Sequence, residues 1–150
     1  MREATFNALS SLDLLRDADV LDLFAGSGAL GIEALSRGAA RATFVEQGRP
    51  ALHVLRANLA ELDLEHRATV VPMDVLRFVS RPRSPFDVAL ADPPYAFTAW
   101  PQLLEAVPAR FIVAESSAEL DLAEAAVPWE RVRSKRYGRT VVTFLEPRSI

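Results

Sequence analysis

Residues 22–31 read Asp-Leu-Phe-Ala-Gly-Ser-Gly-Ala-Leu-Gly. This G-x-G-x-x-G run follows a short apolar stretch, 20–25, and opens an amphipathic stretch, 30–37. A glycine triplet between a buried strand and a helix demands a tight turn and close backbone approach. It commits the chain to a strand–loop–helix unit, the first element of a βαβ crossover fold. The remaining apolar runs agree. Residues 41–46, 69–72, 86–91 and 111–114 are short and rich in Val, Ile, Leu, Phe and Ala, as buried parallel strands are. Helical patterns lie between them. Leu52, Leu55, Leu59 and Leu62 step along one helix face, and 102–107 is a shorter helix. Phe6, Leu9 and Leu12 predict a helix over 2–12 ahead of the first strand. Residues 130–135 and 140–146 predict a closing antiparallel hairpin about a Tyr137-Gly138 turn. The expected architecture is α/β: a mostly parallel, Rossmann-like sheet with a C-terminal antiparallel hairpin, in one domain spanning 1–150.

Composition narrows the function classes. Half of the 150 residues are apolar and the net charge is -3, enough for a real core and too acidic for a protein that coats nucleic acid. The absence of cysteine excludes disulfides, thiolate metal sites and thiol nucleophiles. Two isolated histidines, His53 and His66, without an acid cluster do not predict a metal site. No apolar run approaches the roughly 20 residues of a bilayer span. A cytoplasmic, monomeric protein is expected.

Two constellations carry chemistry. The first pairs the glycine loop with Glu46, an acid ending the second strand, where a carboxylate can bind two ribose hydroxyls. A lone glycine triplet is more often a ligand-free turn; the strand-end acid favours an adenosine-containing cofactor. Asp22, close to the loop, is a poor neighbour for pyrophosphate and a good one for a cation, so S-adenosylmethionine suits the site better than a dinucleotide. Asp22 as the cap of a local turn is an equal reading of that residue. The second constellation is Asp92-Pro93-Pro94-Tyr95, after the fourth strand. Two prolines stiffen the turn and remove two N–H donors. Asp92 and the Pro93 carbonyl can accept the two hydrogens of an exocyclic amino group while Tyr95 stacks on the base. Phe97 and Trp100 either wall this base site or simply pack.

Residues 22–31 with Glu46 resemble the cofactor loop of class I S-adenosylmethionine-dependent methyltransferases, and Asp92–Tyr95 resembles their amino-methylating [DN]-P-P-[YF] signature. More narrowly, the chain resembles the RsmD-type 16S ribosomal RNA guanine(966)-N2 methyltransferases. Arg2-Glu3-Ala4 with Phe6-Asn7, Asn58-Leu59 with Leu62, Ala114-Glu115 and residues 137–140 carry that narrower likeness. The resemblance implies that Phe24, Gly26, Ser27, Gly28 and Gly31 form the cofactor loop, with Asp22 near the cofactor's ammonium and Glu46 on its ribose. It also implies Asp74 at the adenine amino group, Val75 beside that ring, and Asp92, Pro93, Pro94 and Tyr95 around the target guanine. The implied partner is 16S rRNA or a small-subunit assembly intermediate.

Members of that family usually carry a basic arm before the R-E-A-x-F-N helix. This sequence begins inside that motif, so the arm is expected to be missing. Local basic stretches, Arg77 to Arg83 and Arg131 to Arg139, either line an RNA path or are solvated surface charge. The competing functions are an adenine-N6 DNA methyltransferase, which shares Asp-Pro-Pro-Tyr, and a cofactor- or RNA-binding assembly module without catalysis. A nicotinamide dehydrogenase is a distant third. The dispersed matches and the lack of a target-recognition insert count against the first, and the intact Asp92–Tyr95 block against the second.

Overall fold

The computed structural model describes residues 1–123 and 127–149. Its elements run α1 (Arg2–Ser11), β1 (Asp19–Leu23), α2 (Ala29–Ser36), β2 (Arg41–Glu46), α3 (Arg49–Glu61), β3 (Ala68–Pro72) and α4 (Val75–Val79). They continue with β4 (Val88–Ala91), α5 (Trp100–Ala106), β5 (Ile112–Ser116), β6 (Trp129–Tyr137) and β7 (Thr140–Pro147). One seven-stranded sheet has the order β3-β2-β1-β4-β5-β7-β6. β3, β2, β1, β4 and β5 are parallel; β7 runs antiparallel between β5 and β6. This is the mostly parallel sheet with a terminal hairpin that the patterning predicts.

Alternation along the strands builds two cores. Val20, Phe44, Leu90 and Val113 pack with Phe6 and Leu9 of α1, Leu35 of α2 and Leu55 and Leu59 of α3. Their chain neighbours Leu21, Val45, Ala91 and Ile112 face the other way, onto Phe78 of α4 and Leu103 and Leu104 of α5. Three helices on one face and two on the other satisfy a sheet buried on both sides. Trp129 joins the second core, its indole N–H donating to the Leu104 carbonyl at 2.7 Å.

Three expectations are corrected. The helical stripes overrun: Leu12 is the α1 C-cap and 44% exposed, and Leu62 caps α3 at 54% exposed. Once the last turn has passed, no sheet lies beneath the next leucine. The first strand ends at Leu23, because Phe24 turns into the left-handed region at φ 56° and breaks the ladder. Phe86 pairs only as an isolated bridge to Ala109, so the fourth strand starts at Val88. No helix of the described residues is long and apolar enough to cross a membrane.

Candidate active site

β1 and β4 are adjacent, and the chain crosses in opposite directions from them, to β2 on one side and β5 on the other. Such a switch point leaves a crevice at the carboxyl ends of the strands. The glycine loop leaves β1 there and the Asp92–Tyr95 turn leaves β4 beside it.

Two cavities open at this crevice. One, of about 350 Å³, lies between the β1, β2 and β3 ends and is lined by Phe24, Gly26, Glu46, Asp74, Val75 and Asp92, among others. Glu46 is held by the backbone around it. Its Oε1 accepts from the Gly26 N–H at 2.8 Å and its Oε2 from the Gly48 N–H at 2.7 Å. A carboxylate has about four lone-pair sites, so two remain for the hydroxyls of a ribose. Asp74 caps α4: its Oδ2 accepts from the Arg77 N–H at 3.1 Å, leaving the other oxygen free. Val75 is buried in the same wall. The five-residue α4 that Asp74 starts is absent from the periodicity, which cannot register a helix little longer than one turn.

Most of the glycine motif is not in the cavity. Gly28 stands at φ 89° as the N-cap of α2, and a Cβ there would collide with Leu55. A Cβ on Gly31 would enter the Phe44 ring. These two glycines let α2 sit on α3 and β2. Ser27 is exposed, and its carbonyl accepts from the Asn58 amide at 3.0 Å, which ties the loop to α3. Asp22 is 1% exposed, with Oδ2 accepting from the Gly31 N–H at 2.9 Å. The structure thus gives Asp22, Ser27, Gly28 and Gly31 places in the packing of α2, and of the loop glycines it sets Gly26 against the cavity. The Asp22 carboxyl holds down the first turn of α2 from inside, the capping alternative for that residue. Burial pushes it well above the usual carboxylate range. The Gly31 N–H opposes that rise, and the charges of Asp92, Glu46 and Glu115 add to it.

The second cavity, of about 200 Å³, lies beyond Asp92. Asp92, Pro93 and Pro94 line both cavities and form the partition between them. Burial raises the Asp92 carboxyl above its ordinary value. Tyr95 stands at the mouth, 78% exposed, with its ring free to stack. Phe97 and Trp100 do wall this cavity. They also form a chain of edge-to-face contacts: Phe24 to Phe97 at 5.0 Å and Phe97 to Trp100 at 5.4 Å between ring centroids. One aromatic ladder thus runs from the first cavity to the second. Glu115, Ser116, Ser117, Arg139 and Thr140 complete the second cavity; sequence reasoning left Arg139 open between an RNA path and surface charge and assigned no site role to the other four. Two signals were available: an acid directly following a buried strand run, at Glu115, and the family likeness carried by Ala114-Glu115 and residues 137–140.

A strand-end acid held by two backbone N–H groups, a helix-capping aspartate and an acceptor-rich turn at the β1/β4 switch point define a class: the Rossmann-like domain of class I methyltransferases. The profile of the family described as "Conserved hypothetical protein 95" matches residues 1–146, and the chain belongs to that family, the RsmD-type family. It is 43% identical over 95 residues to ribosomal RNA small subunit methyltransferase D of Escherichia coli, covering 63% of this chain and 46% of that protein. It is 36% identical over 138 residues to YlbH of Bacillus subtilis, covering 85% and 75% of the two chains. The solved structure of Escherichia coli yhhF superimposes with a TM-score of 0.85 at 33% identity, over 97% of this chain and 83% of that one. The chain spans about half the length of the small-subunit methyltransferases it matches.

Proposed function

We propose that this protein is an S-adenosylmethionine-dependent RNA methyltransferase that methylates the exocyclic N2 of a guanine, guanine 966, in 16S rRNA, free or within an assembling small subunit. The observation that carries this reading is the partition: Asp92, Pro93 and Pro94 belong to both cavities. A group bound on one side is thereby brought against a group bound on the other.

S-adenosylmethionine supplies an electrophilic methyl group on a sulfonium, a good leaving group, so the protein's task is alignment. Glu46 holds the ribose with the lone pairs left over from Gly26 and Gly48. Asp74 accepts from the adenine amino group, and Val75 packs against the ring. On the other side, the Asp92 carboxylate and the Pro93 carbonyl accept the two N2 hydrogens. That matters because the N2 lone pair is conjugated into the guanine ring. Two acceptors favour a pyramidal nitrogen and stabilise the positive charge it gains as the methyl arrives. Nitrogen then loses one proton, toward the Asp92 side. The 43% identity to a protein named for small-subunit rRNA methylation supports RNA as substrate.

The test is direct. The protein, S-adenosylmethionine with a labelled methyl group, and 16S rRNA or small subunits lacking the modification are incubated together. The RNA is then digested to nucleosides and separated by mass. Label in N2-methylguanosine is expected. Label in N6-methyladenosine, or no transfer to either substrate, would refute the reading.

A further inference from the structure

Beside Asp92 stands a second carboxylate for which the alignment described above has no use. Ala91 of β4 and Ala114 of β5 are partners in the parallel ladder. The next residue on each strand is an acid, so the register itself sets Asp92 next to Glu115. Both line the second cavity together with Pro93. Among the described residues no ion pair involves Glu115. Its carboxyl is pushed up to about 7, chiefly by burial and then by the Asp92 charge, against the pull of Arg2 and the Met1 amino group. Two adjacent, part-buried carboxylates without a cation between them are costly in an empty fold. They become favourable when a ligand brings donors to both.

The walls define which donors. On the acidic side the cavity offers the Asp92 carboxylate, the Pro93 carbonyl and the Glu115 carboxylate. Tyr95, Phe97 and Trp100 supply an aromatic slot, and Arg139 lies on the wall contributed by the β6–β7 turn. The Watson–Crick edge of guanine presents three hydrogens in a row, two on N2 and one on N1, followed by the O6 acceptor. The corresponding edge of adenine presents an amino group next to N1, an acceptor, which a carboxylate repels.

We propose that Glu115 reads the N1–H of the target base and so selects guanine over adenine, with Arg139 available to O6. The inference rests on the guanine-N2 reading. Asp92 and Pro93 orient the amino group in any base that has one; Glu115 decides which base that is. A satisfied hydrogen bond of this kind separates the right base from the wrong one by a factor on the order of 10–100.

The experiment is run about one pH unit or more above 7, where Glu115 is a carboxylate, and uses the Glu115→Gln variant and two RNAs, one with guanine and one with 2-aminopurine at the target position. 2-Aminopurine keeps the N2 amino group and has a bare N1 acceptor in place of N1–H. The wild-type protein should methylate the guanine RNA with the higher kcat/KM. In Glu115→Gln, kcat/KM on guanine should fall about 10–100-fold. The 2-aminopurine to guanine ratio should rise at least about tenfold, because the amide can donate to N1. Calorimetric affinity for S-adenosylmethionine should be unchanged. The ratio is measured within one preparation, so partial misfolding does not alter it. An equal loss on both RNAs, or no loss on guanine, overturns the role of Glu115 while N2-methylguanosine formation by the wild type leaves the broader reading standing. A wild-type protein that makes no N2-methylguanosine overturns both.

Discussion

The glycine loop and the Asp92–Tyr95 turn stand side by side at the carboxyl end of the sheet, and they use their residues in opposite ways. In the loop, Asp22 is buried on the Gly31 N–H, Gly28 and Gly31 make room for Leu55 and Phe44, and Ser27 is tied to Asn58. Of the three motif glycines only Gly26 lines a cavity. In the turn, Asp92, Pro93 and Pro94 all line cavity walls and Tyr95 lies open at the mouth. Both motifs are compact in sequence. One is mainly a device for seating α2, with one edge on a cavity; the other is mainly cavity wall. A conspicuous sequence pattern therefore says that a backbone is constrained, and only the burial of each member says by what.

The sharpest way to test that contrast is to remove one acid from each half. Asp92→Ala should lower turnover about 10²–10³-fold while leaving S-adenosylmethionine affinity nearly intact. Glu46→Ala should do the reverse, weakening cofactor binding about 10–100-fold through the lost ribose contacts and the freed Gly26 and Gly48 N–H groups. Rate measurements on RNA and calorimetric titration of both variants check this. A common loss of both properties would mean that the halves are not separable.

A smaller effect separates packing from binding inside the glycine loop. Gly31→Ala should destabilise the protein by about 1–3 kcal/mol, because the new methyl group meets the Phe44 ring and Asp22 Oδ2. Cofactor affinity of the folded protein should not change. Urea denaturation and titration together decide. Lost affinity at undiminished stability would return Gly31 to the ligand.

The smallest effect is electrostatic and belongs to the turn side. Glu115 has a folded-state value of about 7, above its ordinary one. Its contribution to stability is thus fully present below the usual carboxylate range and is lost as pH rises through about 7. The urea midpoint should fall between pH 5 and pH 8. Glu115→Gln should remove Glu115's share of that fall, less than about 1 kcal/mol once solvent screening of this part-exposed group is allowed for. A variant whose midpoint changes with pH as steeply as the wild type's would contradict the assigned burial.

The two halves also differ in how much of them could be read in advance. β2 is legible to the residue, and the other strands to within two or so, because a parallel strand covered on both faces must be a short apolar run with few alternatives. The Asp92–Tyr95 segment is legible as a turn ending β4, because two consecutive prolines cannot continue a central ladder. Asp22 was open to two readings, since periodicity places a strand residue on one face or the other without saying where its carboxylate finds a donor nine residues on. Glu115 escaped assignment and Arg139 was never tied to the Asp92 cavity for a different reason. They become neighbours of Asp92 only through the β4–β5 register and the hairpin return, which are long-range pairings. α4 was lost to its length, and Leu12 and Leu62 misled because an amphipathic stripe carries no mark of where the sheet beneath it stops.

Among the described residues, β6 closes the sheet at the hairpin end and leaves nine residues of ladder with one unpaired side. Such an edge is an invitation to a second copy. Antiparallel self-pairing about its centre would set Arg133 against Arg133 and Arg131 against Lys135, like charges directly opposed, with Glu130 against Arg136 the compensating contact. The register irregularity between Arg131 and Arg133 bends the strand further from the straight template that pairing needs. Arg131, Arg133 and Lys135 thus disfavour this centred pairing of two edges, a cost set by the strand's own charges.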